Sequence, residues 1–419
     1  MRFEIVFFRP FQAITLTERG GNKMELSNRV KGIKPSPTLA ITAKANQMKA
    51  EGLDVVGFGA GEPDFDTPEN IKKACIDSLL AGNTKYTPVP GTNGARDAVI
   101  EKLKRDQGLE YARNQIVISC GAKHTLYNIF QALVGEGDEV LIPAPYWVSY
   151  PDQVILASAE PVIVETSEAN NFIPTVADLD KMTTSRTKVL VINSPSNPTG
   201  GAATRKQLEE IAKFAVKKDL IVISDEIYEK IVYDGFQFTS IAQLPGMVER
   251  TVLVNGLSKA YSMTGWRIGY AAAPTDLVGA ITNIQSQSTS NPVSFVMPAV
   301  EEALNGPQGF IDTMVAEFDR RRLYMCDRLN AMDGVSCFRP QGAFYVFPNF
   351  SGLYGRKFKD KAIGNSGEFA DYLLDEAKVA IVSGNAFGAD DYARLSYAIA
   401  MGNIEKGLDR IEAAIADLK

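Results

Sequence analysis

Seven short apolar runs separated by windows of helical periodicity constrain this chain more than any other feature. They are Ile116–Ser119, Val140–Pro143, Val162–Glu165, Val189–Ile192, Leu220–Ser224, Val252–Val254 and Ile268–Ala271. Strands that are apolar throughout, rather than alternating, must be covered on both faces. Windows such as Arg205–Lys218 supply the covering helices, so the pattern predicts an α/β fold with a mainly parallel sheet and helices on both faces. After Asn291 the texture changes. A long helical stretch, Gly309–Met332, precedes strand-like Phe344–Phe347, Ala380–Val382 and Leu395–Ala398, and a last helix, Ile404–Leu418. Near the start, Thr38–Glu51 has helical spacing, Asp54–Phe58 reads as a strand, and Thr67-Pro68 opens a helix ending near Gly82. We therefore expect a large domain over 71–305 and a smaller α+β domain built from 24–70 and 306–419. Residues 1–23 lack an amphipathic period and read as a flexible extension or a mis-assigned start.

Composition narrows the chemistry. The chain of 419 residues has one histidine, His124, which excludes multi-His metal sites and leaves Lys, Asp, Tyr, Arg or a cofactor to act. No metal site is expected. The cysteines, Cys75, Cys120, Cys326 and Cys337, match no CxxC pattern and suit a reduced, cytoplasmic protein. A net charge of −6 gives no overall basic excess for nucleic acid, and no apolar run has the length of a membrane span.

In open α/β sheets, ligands bind beyond the carboxyl ends of the strands. There the sequence places Gly121-Ala122-Lys123, Tyr146-Trp147, Asn193–Gly200, Asp225–Tyr228 and Ser258-Lys259, with Arg267 shortly after. Small residues, an aromatic, an amide, a carboxylate, a phenol, an amine and a guanidinium suit an aromatic, phosphorylated, carbonyl-bearing ligand. Nucleotide motifs fail: Gly57-Phe-Gly59-Ala-Gly61-Glu62 puts Glu where GxGxxG needs Gly, and no GxxxxGK[ST] occurs.

Five runs carry a resemblance. Ala60-Gly-Glu-Pro-Asp-Phe-Asp-Thr-Pro68, Pro145-Tyr-Trp-Val-Ser-Tyr-Pro151, Asn193-Ser-Pro-Ser-Asn-Pro-Thr-Gly200, Ser224-Asp-Glu-Ile-Tyr228 and Ser258-Lys-Ala-Tyr-Ser-Met-Thr-Gly-Trp-Arg-Ile-Gly269 resemble aspartate aminotransferases that depend on pyridoxal 5'-phosphate (PLP). The subgroup is the bacterial and plant-plastid one of fold type I, including bifunctional aspartate/prephenate enzymes, and the likeness runs in order from about Met24 to the C-terminus.

The resemblance implies a PLP-dependent transaminase, a homodimer, acting on amino acids and 2-oxo acids, with no nucleic acid or membrane partner. It makes Lys259 the Schiff-base lysine and Asp225 the acid holding the proton on the cofactor's ring nitrogen. Tyr228 and Asn197 resemble the groups at the ring oxygen, and Trp147 the stacking wall. Gly121, Ala122, Ser258 and Arg267 resemble the phosphate cup, joined by Tyr86 from the neighbouring subunit. Relatives often carry Ser or Thr where this chain has Gly121, Ala122 and Gly256, which shifts the phosphate load onto backbone, Ser258, Arg267 and Tyr86. Arg394 resembles the clamp for the α-carboxylate, with Gly61 and Asn197 beside it. Lys123 resembles the partner of the distal carboxylate and, with Thr38, of prephenate.

Blander readings stand beside these: Asn-Pro-Thr-Gly is a good turn, and a first-turn lysine such as Lys123 is commonly just solvated. The expected activity is amino transfer between L-aspartate and 2-oxoglutarate. Alternatives are a prephenate or aromatic aminotransferase, a PLP lyase, or a noncatalytic PLP-sensing module; the last needs an attached DNA-binding part, for which the 23 leading residues are too few.

Overall fold

The structure is a computed structural model describing residues 26–33, 35 and 37–419. The expected extension 1–23, and Met24 with which the small domain begins, lie outside the described residues. Seven strands make one sheet: β1 (Ile116–Ser119), β2 (Glu139–Ala144), β3 (Glu160–Glu165), β4 (Thr187–Asn193), β5 (Ile221–Asp225), β6 (Thr251–Gly256) and β7 (Gly269–Ala272). Their order is β1-β7-β6-β5-β4-β2-β3. Pairs from β3 to β6 are parallel, and β7 runs antiparallel to both of its neighbours. Each apolar run is therefore a strand, with ends shifted by one or two residues.

Side chains alternate between two covered faces. Val189, Val191, Ile223, Val252 and Val254 pack with Leu126, Ile129 and Phe130 of helix Ala122–Leu133 on one face. Leu190 and Val222 pack with Leu208, Ile211 and Ala215 of helix Arg205–Lys217 on the other. Each such side chain contributes about 1.5–3 kcal/mol of burial. That explains why these strands are apolar at every position.

The two ends of the described chain meet. Val56–Gly57 pairs in parallel with Val379–Ala380, and Val56 and Phe58 share one core with Phe318, Phe344, Leu395, Ile404 and Leu408. Tyr345–Val346, Ala393–Ser396 and Val382–Ser383 form a small antiparallel sheet beside them. Tyr228, Ile231 and Tyr233, which follow β5, enter this same core. The turn after β5 is thus packed between the large sheet and the chain-end unit. The sequence pattern missed the Lys357–Phe358/Lys361–Ala362 hairpin, whose strands are two residues each and too short to show a period. Among the described residues, no helix is long and apolar enough to cross a membrane, and no cluster of His, Cys, Asp and Glu could hold a metal ion.

Candidate active site

A cavity of about 460 Å³ opens beyond the carboxyl ends of β1, β2, β4, β5 and β6. The large sheet contributes Ala122, Lys123, Trp147, Asn197, Asp225, Tyr228, Ser258, Lys259 and Arg267 to its wall. Thr38, Gly61, Tyr345 and Arg394 close it from the other side. Twelve of the fourteen residues singled out above therefore line one cavity. Gly121 lies just behind the wall, and Tyr86 is 90% exposed and outside it.

Asp225 ends β5 in the protein interior. The Tyr150 hydroxyl donates to its Oδ2 at 2.6 Å and the Ile227 N–H to its Oδ1 at 3.3 Å. Burial raises its pKa to about 6, against the opposing pull of the Tyr150 and Ile227 hydrogen bonds and of Lys259. Asn193 Nδ2 donates to the Asp225 carbonyl at 3.0 Å, and the Asn197 N–H donates to Asn193 Oδ1 at 2.9 Å. These amides fix the loop after β4 against β5. Tyr228 shares a 2.9 Å hydrogen bond with the Tyr345 hydroxyl, and burial holds its phenol well above the usual range.

Tyr150, Tyr345 and Asn193 are cavity residues without an assigned role in the sequence reading. Tyr150 stands three positions after Trp147, and their rings meet edge to face at 5.2 Å. That spacing was the one available signal for it, whereas Tyr345 sits in an all-apolar run that gave none.

The Asp225 proton has a testable sign. Its folded pKa of about 6 lies above the ordinary 3.8, so its contribution to the stability of the cofactor-free protein is full below about pH 4 and is lost as pH rises through 6. Tyr150→Phe removes a hydrogen bond to the charged form, worth about 1.5–3 kcal/mol, and should move the upper edge of that loss upward by about one to two pH units. Urea unfolding of both cofactor-free proteins across pH 4–9 measures it; superimposable stability profiles would refute the assignment.

Lys259 follows β6. Its Nζ donates to the Gly61 carbonyl at 2.5 Å and lies 5.7 Å from the Phe344 ring centroid. Burial lowers its pKa to about 8, helped by Arg394 and Arg267 and opposed by Glu62 and Asp225. The amine thus gives up its proton more readily than an ordinary lysine and is more available as a nucleophile.

Arg394 lies on Ala393–Ser396 with only 3% of its surface exposed. Nη1 donates to Asn197 Oδ1 at 2.9 Å and Nη2 to the Gly59 carbonyl at 2.8 Å, while Nε has no partner. Both acceptors are neutral, and burial pushes the guanidinium pKa down. A buried cation without a counter-charge costs several kcal/mol, so this arrangement is built to receive an anion.

At the start of helix Ala122–Leu133, Gly121 has φ +91°, and a Cβ there would lie 2.4 Å from Arg267 Nη2. Gly121 thus makes room for the guanidinium. Its own N–H donates to the Ser119 carbonyl at 2.7 Å. The helix-start amides of Ala122 and Lys123 remain. Arg267 Nη1 donates to the Thr264 carbonyl at 2.9 Å, which orients it. Lys123 Nζ lies over the Trp147 ring, 5.0 Å from its centroid, and burial followed by Arg267 lowers its pKa.

PLP combines a flat aromatic ring, a phosphate, a ring nitrogen and an aldehyde. The side chains present match each part: Trp147 for the ring, Arg267 and the helix start for the phosphate, Asp225 for the nitrogen and Lys259 for the aldehyde. The unpartnered Arg394 Nε leaves a place for a substrate anion beside them. A mainly parallel sheet presenting this set at its carboxyl edge defines a PLP-dependent enzyme of fold type I. The sequence profile "Aminotransferase class I and II" matches residues 53–411, and the chain belongs to that family of PLP-dependent transaminases.

Among its relatives, an aspartate aminotransferase of Bacillus sp. (strain YM-2) is 49% identical over 388 residues, covering 92% of this chain and 98% of that protein. A probable aspartate/prephenate aminotransferase of Rickettsia felis is 47% identical over 396 residues, covering 94% and 97%. The crystal structure of the Rhizobium meliloti aspartate aminotransferase matches with a TM-score of 0.92 at 42% identity, covering 95% of this chain and all of that one. The Thermus thermophilus aspartate aminotransferase with maleate matches at 0.88 and 39% identity, covering 94% and 100%.

Proposed function

We propose that this protein is an aspartate aminotransferase that moves the amino group between L-aspartate and 2-oxoglutarate by ping-pong chemistry. The observation that carries this reading is the pair of cations in one cavity. Arg394, uncompensated at its buried end, and Lys123, over Trp147, suit the two carboxylates of a dicarboxylic amino acid. The Thermus relative with maleate, itself a dicarboxylate, supports the same substrate class.

When bound, PLP supplies an aldehyde that takes up amino groups and a ring that accepts electrons. The chain does the rest. Arg394, with Asn197 and the Gly61 backbone, orients the α-carboxylate, while Lys123 and Thr38 meet the distal one. Lys259, the covalent attachment point for the cofactor, carries the proton taken from the substrate Cα. Asp225, steadied by Tyr150, keeps the ring nitrogen protonated. Tyr228 and Asn197 would hold the ring oxygen, and Trp147 would supply the apolar wall beside the ring. Ser258, Arg267 and the amides of Ala122 and Lys123 would hold the phosphate, with Arg267 seated in the space that Gly121 leaves.

Tyr86 completes this cup from a second copy, which makes the active unit a homodimer. Its exposure in the single chain supports this, as do exposed Ile76, Leu79 and Leu80 on the neighbouring helix Glu69–Leu80. We also read the chain as the two domains expected above, 71–305 and the joined ends. The helix-rich core over β1–β7 and the separate core of the ends support that division.

An absorbance spectrum of the PLP-loaded protein is the test. A visible band that bleaches on adding aspartate is expected; indifference to aspartate would refute the reading. Lys123→Ala should weaken the response to aspartate about 10- to 100-fold, the loss of one hydrogen bond to a charged group, and leave a monocarboxylic amino acid unaffected. A second reading, aspartate and prephenate used together, is favoured by Thr38 and Lys123 facing one cavity and by the names of the Rickettsia relatives. The amino-loaded protein regaining its visible band with prephenate as efficiently as with 2-oxoglutarate would select it.

A further inference from the structure

Behind the turn that carries Asp225 and Tyr228 lies a second set of ionisable side chains, buried and outside the cavity. Glu229 N–H donates to the Glu226 carbonyl at 3.0 Å and Ile231 N–H to the Tyr228 carbonyl at 2.8 Å, so residues 226–231 form a tight, helix-like turn. At that spacing, residues three apart share a side. Asp225 and Tyr228 line the cavity, while Glu226 and Glu229 are turned away from it and buried.

Both glutamates are held by helix Asn93–Gln107. Gln107 Nε2 donates to Glu226 Oε2 at 3.0 Å and to Glu229 Oε2 at 2.5 Å, bridging the two. The Lys102 ammonium, on a side chain 2% exposed, donates to Glu229 Oε1 and lies 3.6 Å from Asp106. The hydroxyls of Ser224 and Ser240 donate to Glu226 Oε1 at 2.9 and 2.5 Å. One end of this array is therefore the catalytic turn itself, since Ser224 and Glu226 bracket Asp225 and Glu229 follows Tyr228.

An apolar set of similar volume would fill this space at no greater cost, because desolvating ions offsets most of their attraction. Burial, and then the neighbouring Glu229 carboxylate, push the Glu226 pKa up to about 7. What the polar set adds over an apolar one is direction: each hydrogen bond fixes a distance and an angle on the turn.

We propose that Lys102, Gln107, Glu226 and Glu229 are positioning residues for transamination, holding the 225–231 turn from behind so that Asp225 and Tyr228 keep their places in the cavity. This inference rests on the functional reading above. None of the four is expected to touch substrate or cofactor, so their effect should fall on turnover and not on substrate binding.

The experiment uses the PLP-loaded enzyme and the variants Glu229→Gln, Lys102→Met and Lys102→Arg. Glu229→Gln and Lys102→Met should lower kcat with aspartate about 10- to 100-fold, the penalty of a small misplacement of reacting groups, and change KM less than about twofold. They should also shift the pH midpoint of the bound cofactor's visible absorbance by about half a unit or more. Lys102→Arg should recover most of kcat. A merely structural role predicts a lower Tm with kcat and the spectral midpoint at wild-type values, and that result overturns the proposal. Should Lys102→Met fail to fold, Ser240→Ala, which removes one hydroxyl from Glu226, gives the same readings with the same two outcomes. A wild-type enzyme whose spectrum answers aspartate while the variants match it overturns this inference alone; a silent wild type overturns the functional reading and this one with it.

Discussion

Replacing Lys259 by alanine should cost at least about 10²–10⁴ in turnover, the usual contribution of a positioned acid–base group, beyond any loss from weaker cofactor attachment. The reason lies in its surroundings. With a pKa of about 8, roughly a tenth of the amine is neutral at pH 7, against about one part in 3,000 for an ordinary lysine. Arg394 and Arg267 cannot release a proton, and Asp225 is engaged by Tyr150, so none of these three replaces the amine. Steady-state assays with aspartate and 2-oxoglutarate check this, alongside borohydride treatment and peptide mapping of the wild type. Near-normal turnover in Lys259→Ala, or a wild type without label at Lys259, would remove the basis of the mechanism.

Arg394→Met should separate binding from folding. Its guanidinium is a buried cation facing the cavity with only neutral acceptors, Asn197 Oδ1 and the Gly59 carbonyl. Losing it should raise KM for every amino acid about 30- to 1,000-fold, corresponding to 2–4 kcal/mol of charge-assisted carboxylate binding. Aspartate and monocarboxylic amino acids should suffer alike, in contrast to Lys123→Ala. The stability change should run the other way. Removing an uncompensated buried charge relieves its desolvation cost, so the Tm of the cofactor-free variant should equal or exceed that of the wild type. A KM increase confined to dicarboxylates would exchange the roles of Arg394 and Lys123, and a large drop in Tm would make Arg394 a structural residue.

Much of the site could be read without coordinates because its residues cluster at strand ends. A strand buried on both faces has to be apolar throughout, so the first polar residues after it mark where the chain emerges, and at a parallel sheet's carboxyl edge those points converge. Asp225, Lys259, Asn197 and Trp147 were all found that way. Tyr150 and Tyr345 were not, since a tyrosine within an apolar stretch reads as core until its hydroxyl is seen to have a partner. Gly121 was read as part of a phosphate cup; the structure adds that its missing side chain leaves space for Arg267. Lys102 attracted no notice because most lysines are solvated; here a helix face turns it inward onto Glu229.

From the amino-acid order alone followed the mainly parallel α/β sheet and the chemical inventory at its carboxyl edge, because hydrophobic period and local turn chemistry act over a few residues. Tertiary structure alone decided which carboxyl has its pKa raised by burial, which amine is desolvated and which guanidinium is left without a counter-charge. Those properties depend on burial and on neighbours distant in the chain, as Arg394 meeting Asn197 illustrates.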